Sequence, residues 1–130
     1  MINISFENNP TFAEIMTLTD EYDERIGEFF NNHIGEVIEF DGYIAAFDYH
    51  GSCTTRYDVL VAVGDNDGPL VGPPLHYTDV SFFSDMNFDE NTPDYLSVND
   101  EFRFTAEIES YNESTGLVEL DPVSTVYRGS

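Results

Sequence analysis

Lysine is absent from this sequence, and its permanently positive side chains are four arginines, Arg25, Arg56, Arg103 and Arg128. They stand against 26 acidic side chains, which gives a formal net charge of −22 over 130 residues. Because a field of that sign repels phosphate groups, it disfavours nucleic acid as a partner and favours cationic partners. Acidic side chains also keep exposed strand faces soluble, and salt adaptation or an acidic lineage would produce the same excess.

Cysteine is scarce as well, since Cys53 is the only one. A single cysteine forms no internal disulfide and no thiolate zinc site, so we interpret Cys53 as a small residue in or near a loop. The N-terminal run MINISFENNPTF lacks the basic and apolar regions of a secretory signal, and no stretch approaches transmembrane length. We therefore expect a chain that is soluble as written and makes no membrane contact itself, either cytoplasmic or excised from a larger protein.

Familiar catalytic motifs are also missing. The sequence contains no Gly-x-Ser-x-Gly, no His-Glu-x-x-His, no phosphate loop and no dinucleotide fingerprint. His33, His50 and His76 are too scattered to indicate a ligand set, and pairs of carboxylates carry no information among 26 acids. We therefore expect no enzyme activity and no cofactor.

Apolar residues are plentiful. Hydrophobic residues make up 41% of the chain, and 11 Phe and 8 Tyr bring the aromatic fraction to 15%. That content supplies enough apolar surface for one folded core, and 130 residues fit one domain. The acidic side chains must then lie on the outside of a folded body.

The first third of the chain has helical periodicity. Asn9 followed by Pro10 is typical of a helix start, and Thr11 with Glu14 has the spacing of a capping box. The expected buried face of this short helix comprises Phe12, Ile15 and Met16.

A second helix is expected roughly from Glu21 to His33. Asp23 and Glu24 favour its positive N-terminal end, and Gly35 supplies a stop. Its apolar residues recur at three- and four-residue steps: Ile26, Phe29, Phe30 and Ile34.

From Glu36 onward the apolar period changes to two, which is typical of half-buried antiparallel strands. The expected strands span residues 37–46, 55–63, about 77–83, 101–109, and 117–120 with 123–127. Gly42 indicates a bend or bulge, Pro122 an edge or bulge, and Pro69, Pro73 and Pro74 an extended, irregular segment. The expected inner faces comprise Ile38, Phe40, Ile44 and Ala46; Tyr57, Val59, Val61 and Val63; Val80 and Phe82; Phe102, Phe104, Ala106 and Ile108.

This order of elements favours a mainly β fold with N-terminal helices, namely a five-stranded OB-like antiparallel barrel. A β-sandwich is the alternative, but the glycine-bent first strand and the final hairpin suit a coiled, closed sheet. We expect one structural domain, in which an N-terminal helical segment, residues 1–35, packs on an OB-like barrel, residues 36–130.

Several runs of residues resemble a known family over nearly the whole chain. They are Glu7-Asn8-Asn9-Pro10, Ile38-Glu39-Phe40-Asp41-Gly42-Tyr43-Ile44, His50-Gly51, Thr55-Arg56-Tyr57-Asp58, Gly64-Asp65, Glu109-Ser110-Tyr111-Asn112-Glu113 and Asp121-Pro122-Val123-Ser124-Thr125. The family they resemble is an uncharacterised, mostly actinobacterial family of domains of unknown function. The resemblance implies a fold akin to the tRNA-anticodon-binding-like branch of OB folds, and a setting in larger, sometimes membrane-anchored bacterial proteins. It implies no catalytic residues.

Tyr49, His50, Arg56 and Tyr57 bracket the turn between the first two strands and form the candidate ligand site. Aromatic rings and a guanidinium beside the surface that OB folds use for ligands could stack on bases or sugars, or hold an acidic group. A structural role is the alternative, because Tyr57 falls on the apolar face of its strand and Arg56 can balance the charge of Asp58.

Asp65 and Asp67, in the run Asp65-Asn66-Asp67-Gly68, form a candidate metal site. The spacing matches a fragment of a calcium loop, although prolines and glycines follow where an EF-hand would continue to a glutamate. An ordinary acidic turn uses the same residue types.

The sequence therefore predicts a non-catalytic binding module whose partner is an unknown protein, peptide or small ligand. One alternative is a nucleic-acid-binding OB domain that acts through a local arginine and tyrosine patch. A second alternative is a calcium-binding or metal-dependent protein.

Overall fold

Two short helices precede five strands in the computed structural model, which describes residues 3–20, 23–52, 55–68, 70–82, 85–93 and 97–129. Cys53 lies outside the described residues. The elements in chain order are α1 (Pro10–Ile15), α2 (Glu24–Asn32), β1 (Val37–Tyr49), β2 (Tyr57–Val63), β3 (Val71–Val80), β4 (Glu101–Asn112) and β5 (Leu117–Gly129).

The five strands close into a barrel in the order β1-β2-β3-β5-β4. β1 makes the closure possible because it changes partner along its length: residues 37–43 pair with β4, and residues 42–49 pair with β2. All pairs are antiparallel except β3 with β5, where Leu75 faces Val118 and His76 faces Glu119. The prediction of a five-stranded OB-like barrel is therefore confirmed, and the alternative β-sandwich is wrong.

α1 begins where the sequence predicts but is capped differently from the capping-box interpretation. The Asn9 side chain accepts a hydrogen bond of 2.9 Å from the Phe12 N–H, and Pro10 occupies the first helical position. Thr11 lies inside the helix rather than at its cap, while Glu14 pairs with Arg25. The three residues of the predicted buried face, Phe12, Ile15 and Met16, all lie in the core.

α2 is shorter than predicted at its N-terminal end. It begins at Glu24 because the Asp23 side chain caps it by accepting from the Arg25 N–H, and the predicted first residue, Glu21, lies outside the described residues. The buried face comprises Ile26, Phe29 and Phe30. Placing Ile34 on that face was wrong: it follows the helix end at Asn32 and is 47% exposed.

The first strand is longer than predicted and changes its inward face partway. A register shift between Ile44 and Ala46 inserts a bulge at Ala45, so Ala46 is exposed and Phe47 packs against the core instead. The predicted inward position of Ala46 is therefore wrong. Gly42 lies three residues before this bulge, and it is a close-approach position because a Cβ there would collide with the Ala62 carbonyl oxygen.

The third strand starts earlier than predicted. Residues Gly72, Pro73 and Pro74 lie inside β3, whereas the prolines indicated an irregular segment. Opposite them on β2, Val61 is in register with Leu75 and Val63 is in register with Val71. Two residues along β2 therefore correspond to four along β3. The prolines are tolerated because they occupy this bulge, where no ladder hydrogen bond is required of them.

The final hairpin follows the predicted pattern most closely. In β4 the predicted inward residues Phe102, Phe104, Ala106 and Ile108 are all buried. Thr105, predicted to face outward, is also buried, at 7% exposed, and lies opposite Ser124 at a register shift next to Pro122. Pro122 thus lies at a bulge, as the sequence indicated.

Both helices and all five strands contribute to one hydrophobic core. α2 packs against the end of β4, where the rings of Phe30 and Tyr111 stack with centroids 6.4 Å apart. Within the barrel Phe104 contacts the rings of Phe40, Tyr77 and Phe102. Neither helix of the described segments has the length and apolarity needed to cross a bilayer.

Added salt is expected to stabilise this fold. Asp100 is the one buried acidic side chain among the described residues, so the other described carboxylates face solvent at least in part and repel one another. Raising sodium chloride from low to physiological concentration should increase stability by about 1 kcal/mol, or roughly 4 °C in Tm. Thermal unfolding at neutral pH measures the shift. Near pH 4, where about half of the carboxylates are protonated, the shift should shrink; an equal shift at both pH values would contradict self-repulsion.

Candidate functional site

The four predicted ligand residues lie together at the turn between β1 and β2. Tyr49, the last residue of β1, is in register with Tyr57, the first residue of β2. The His50 N–H donates a 2.8 Å hydrogen bond to the Arg56 carbonyl oxygen and so closes the hairpin. The structure therefore brings together all four residues that the sequence singled out.

Aromatic rings form a stack that runs from this turn into the core. The Tyr57 ring lies parallel to Phe82, with centroids 4.1 Å apart, and the Tyr49 ring is tilted by 31° against Tyr57, with centroids 5.2 Å apart. Tyr49 is 52% exposed, whereas Tyr57 is half-buried. Burial, reinforced by the neighbouring Tyr49 hydroxyl, raises the pKa of Tyr57, which keeps its phenol neutral. The outer face of the stack is therefore the Tyr49 ring.

Arg56 is bound within the protein rather than presented to a ligand. Its Nε donates to Asp79 Oδ1 at 2.8 Å, its Nη2 donates to the Asp79 carbonyl oxygen, and the same Nη2 lies 3.3 Å from Asp85 Oδ2. Arg56 was expected to balance the charge of Asp58, but it pairs with the carboxylates of Asp79 and Asp85. Both carboxylates that Arg56 pairs with come later in the chain: Asp79 lies 23 residues further on, at the end of β3, and Asp85 follows that strand.

His50 pairs with Asp58 instead. The His50 Nδ1 lies 2.8 Å from Asp58 Oδ1, and the Asp79 N–H donates to the same oxygen at 3.0 Å. Partial burial opposes ionisation of Asp58, but these two hydrogen bonds outweigh it and lower its pKa. Asp58 is therefore a fixed negative charge beside the tyrosines.

We name this region the hairpin surface. It comprises the candidate ligand residues and the carboxylates around them: Tyr49, His50, Arg56, Tyr57, Asp48, Asp58, Asp79 and Asp85. Four carboxylates surround one arginine and one histidine, so the local balance is negative. An exposed aromatic ring on a hairpin of negative net charge suits a cationic side chain, which gains both cation–π and Coulomb attraction.

The other three arginines are also paired inside the protein. Arg25 bonds to Asp23 and Glu14, and Arg103 bonds to Asp41. Arg128 is the most deeply held, since it donates to Asp65 and to three backbone carbonyl oxygens of neighbouring strands and turns. All four permanent cations thus already have carboxylate partners, and none of them defines a basic patch.

The candidate metal residues occupy a turn that is tied to the barrel. Asp65 Oδ1 lies 3.2 Å from Arg128 Nη1, while Asp67 is exposed. The next backbone N–H, that of Asn66, donates to Glu101 at 3.0 Å. Among the residues that the structure describes, no group of three or more His, Cys, Asp or Glu side chains is arranged to hold a metal ion. Calcium binding here stays a prediction, which calorimetric titration tests.

Sequence reasoning missed a polar cluster on the outer face of β3 and β5. The His76 Nδ1 lies 2.7 Å from Glu119 Oε1, and the Thr78 hydroxyl donates to Glu119 Oε2 at 2.8 Å. The partners lie 43 and 41 residues apart in sequence. Only the strand order could have found them, because β3 and β5 become neighbours when the barrel closes.

The model of a family described as a domain of unknown function, DUF4839, matches residues 7–128 of the chain. No curated protein and no solved structure matches this chain.

Proposed function

We propose from its geometry that this chain, which belongs to the DUF4839 family of domains of unknown function, is a non-catalytic module that binds a cationic protein or peptide. The hairpin surface holds the partner's lysine or arginine side chain against Tyr49. The observation that carries the proposal is the Tyr49 ring, which is 52% exposed on a hairpin that also carries Asp48 and Asp58.

The electrostatics of the whole chain support the same partner. A net charge of −22 attracts cations from a distance and accelerates their association, more strongly at low ionic strength. At short range, the exposed Tyr49 ring offers a cation–π contact, and the carboxylates of the hairpin surface add Coulomb attraction. A neutral or anionic ligand would gain neither.

The position of the surface agrees with the fold. OB barrels bind ligands on the face of their second and third strands and on the loops beside it, including the loop between the first and second strands. The resemblance to the tRNA-anticodon-binding-like branch would add nucleic acid as a ligand. Against that alternative, Arg56 is held by Asp79 and the neighbouring carboxylates repel phosphate. The proposed setting is bacterial, either the cytoplasm or a larger, membrane-anchored protein.

Tyr49 substitutions test the proposal through the binding of a fluorescent tetralysine peptide, followed by anisotropy. Tyr49→Leu keeps an apolar side chain but removes the ring, so affinity should fall about two- to fivefold, the loss expected for an exposed cation–π contact of about 0.5–1 kcal/mol. Tyr49→Phe keeps the ring and is the matched control, with affinity close to that of the unaltered protein. Binding should weaken as salt is raised.

Two results would contradict this function. Equal affinities of the Leu and Phe variants would show that the ring does not contact the cation. Tighter binding of a single-stranded oligonucleotide than of tetralysine at low salt would favour the nucleic-acid alternative instead.

A further inference from the structure

An apolar groove of about 380 Å³ lies on the outer face of the barrel, over β2 and β3. Its apolar lining includes Ala45, Leu60, Ala62, Leu70 and Pro74. Leu60 projects outward because its neighbours Val59 and Val61 are buried in the core. The groove is therefore separate from the core, although its floor is made of apolar strand residues.

Two departures from regular sheet geometry create the groove. The bulge at Ala45 interrupts the pairing on one side of β2 and the four-residue step of β3 interrupts it on the other, and the lining residues Ala45 and Ala62 are small. Gly72 fixes the wall, because its N–H donates a 2.7 Å hydrogen bond to the Leu18 carbonyl oxygen. The concavity is thus built into the fold.

The rim of the groove carries an exposed apolar side chain. Leu70 is 72% exposed, the highest value among the large apolar side chains of the described segments. Exposed apolar surface beside a concavity costs stability in water and marks a place where another molecule packs.

Acidic side chains lie on either side of this apolar surface. Leu60 is in register with His76, and His76 pairs with Glu119. The Glu119 carboxylate therefore lies beyond the groove on the side of β3 and β5. Asp20 lines the groove near the helices, and Asp58 lies two residues from Leu60 on β2. The four arginines all lie in described segments, and none of them lines the groove.

We propose that this groove binds a short segment of a partner protein in which one large apolar side chain is flanked by lysine or arginine. The apolar side chain enters the groove beside Leu60 and Leu70, and the flanking cations face the carboxylates. A second copy of this chain is a poor occupant, because two bodies of charge −22 repel each other. The inference rests on the proposed function, to which it adds an apolar subsite.

Amide NMR spectra of the isotope-labelled protein, titrated with three acetylated pentapeptides, test this inference. The peptides carry a central leucine between lysines, a central glycine between lysines, or a central leucine between glutamates. The leucine–lysine peptide should shift the amides of Ala45, Leu60, Ala62 and Gly72, and the glycine–lysine peptide should shift those of the hairpin surface alone. The glutamate peptide should shift neither set.

Leu70→Ser provides the variant, because substitution of a side chain that is 72% exposed is expected to change stability little. It should weaken binding of the leucine–lysine peptide about fivefold and leave binding of the glycine–lysine peptide unchanged. Val126→Ser is the matched control, because Val126 is an exposed apolar residue on β5, 43% exposed, that does not line the groove. It should change neither affinity.

The outcomes separate this inference from the proposed function. If both lysine peptides shift only the hairpin surface, the groove inference is overturned and the proposed function stands. If neither lysine peptide binds, both are overturned. Equal binding of the glutamate peptide in the groove would overturn the cationic partner, and shifts of groove amides on simple dilution of the free protein would show that a second copy occupies the groove.

Discussion

Gly72→Ala is expected to lower the free energy of unfolding by about 3 kcal/mol. Gly72 has a φ of +74°, which costs a residue with a side chain about 1–2 kcal/mol. A Cβ at this position would also lie 2.6 Å from the Met16 carbonyl oxygen and 3.0 Å from Val63 Cγ2, and relieving such overpacking typically costs about 1–3 kcal/mol. The backbone oxygen cannot move without shifting the end of α1.

Gly64→Ala is the matched control for this substitution. Gly64 also has a positive φ, +90°, but apart from Gly64 and its two chain neighbours no described residue has an atom within 4 Å of the position that its Cβ would take. It should therefore cost only the left-handed strain, about 1–2 kcal/mol. Urea unfolding of both variants measures the two losses, and equal losses would show that the contact with Met16 is not tight.

The strands that the sequence predicted best are those with the clearest alternation. Phe102, Phe104, Ala106 and Ile108 all face the core, because a two-residue period leaves a regular strand only one way to bury them. The predictions that failed lie beside irregularities. Ala46 follows a bulge that reverses the inward face, and residues 71–76 enter β3 through a bulge that accommodates two prolines. Bulges depend on the partner strand, which local periodicity does not contain.

In the candidate site, too, the features set by local sequence were predicted and those set by partner strands were not. The turn joining β1 and β2 brings Tyr49, His50, Arg56 and Tyr57 together by local chain geometry, so sequence proximity was sufficient to find them. The partners of their charged groups come from elsewhere in the barrel. Asp79 reaches Arg56 from the end of β3, and the groove over β2 arises from two separate bulges. Those features follow from tertiary packing, which one sequence without its strand order does not specify.

Arg128→Ala is expected to be the second severe substitution, with a loss of about 3 kcal/mol in the free energy of unfolding. Arg128 is only 23% exposed, and its guanidinium joins the end of β5 to three backbone carbonyl oxygens. Its Nε donates to Phe102 at 3.0 Å, and its Nη2 donates to Gly42 at 3.1 Å and to Gly64 at 3.3 Å. Removing the side chain leaves partly buried acceptors without this donor, and charge-assisted hydrogen bonds of this kind contribute about 1.5–3 kcal/mol each without adding fully.

Arg103→Ala isolates that contribution, because it removes the same unit of positive charge from the same highly acidic protein. Arg103 is 53% exposed and bonds to one carboxylate, Asp41, so its loss should cost no more than about 1 kcal/mol. Any general increase in self-repulsion affects both variants, and the difference between them measures the carbonyl contacts. Arg128→Lys should recover little of the stability, since an ammonium restores the charge but lacks the planar fork that reaches several oxygens at once. Equal urea midpoints for Arg128→Lys and the unaltered protein would instead assign the role of Arg128 to its charge alone.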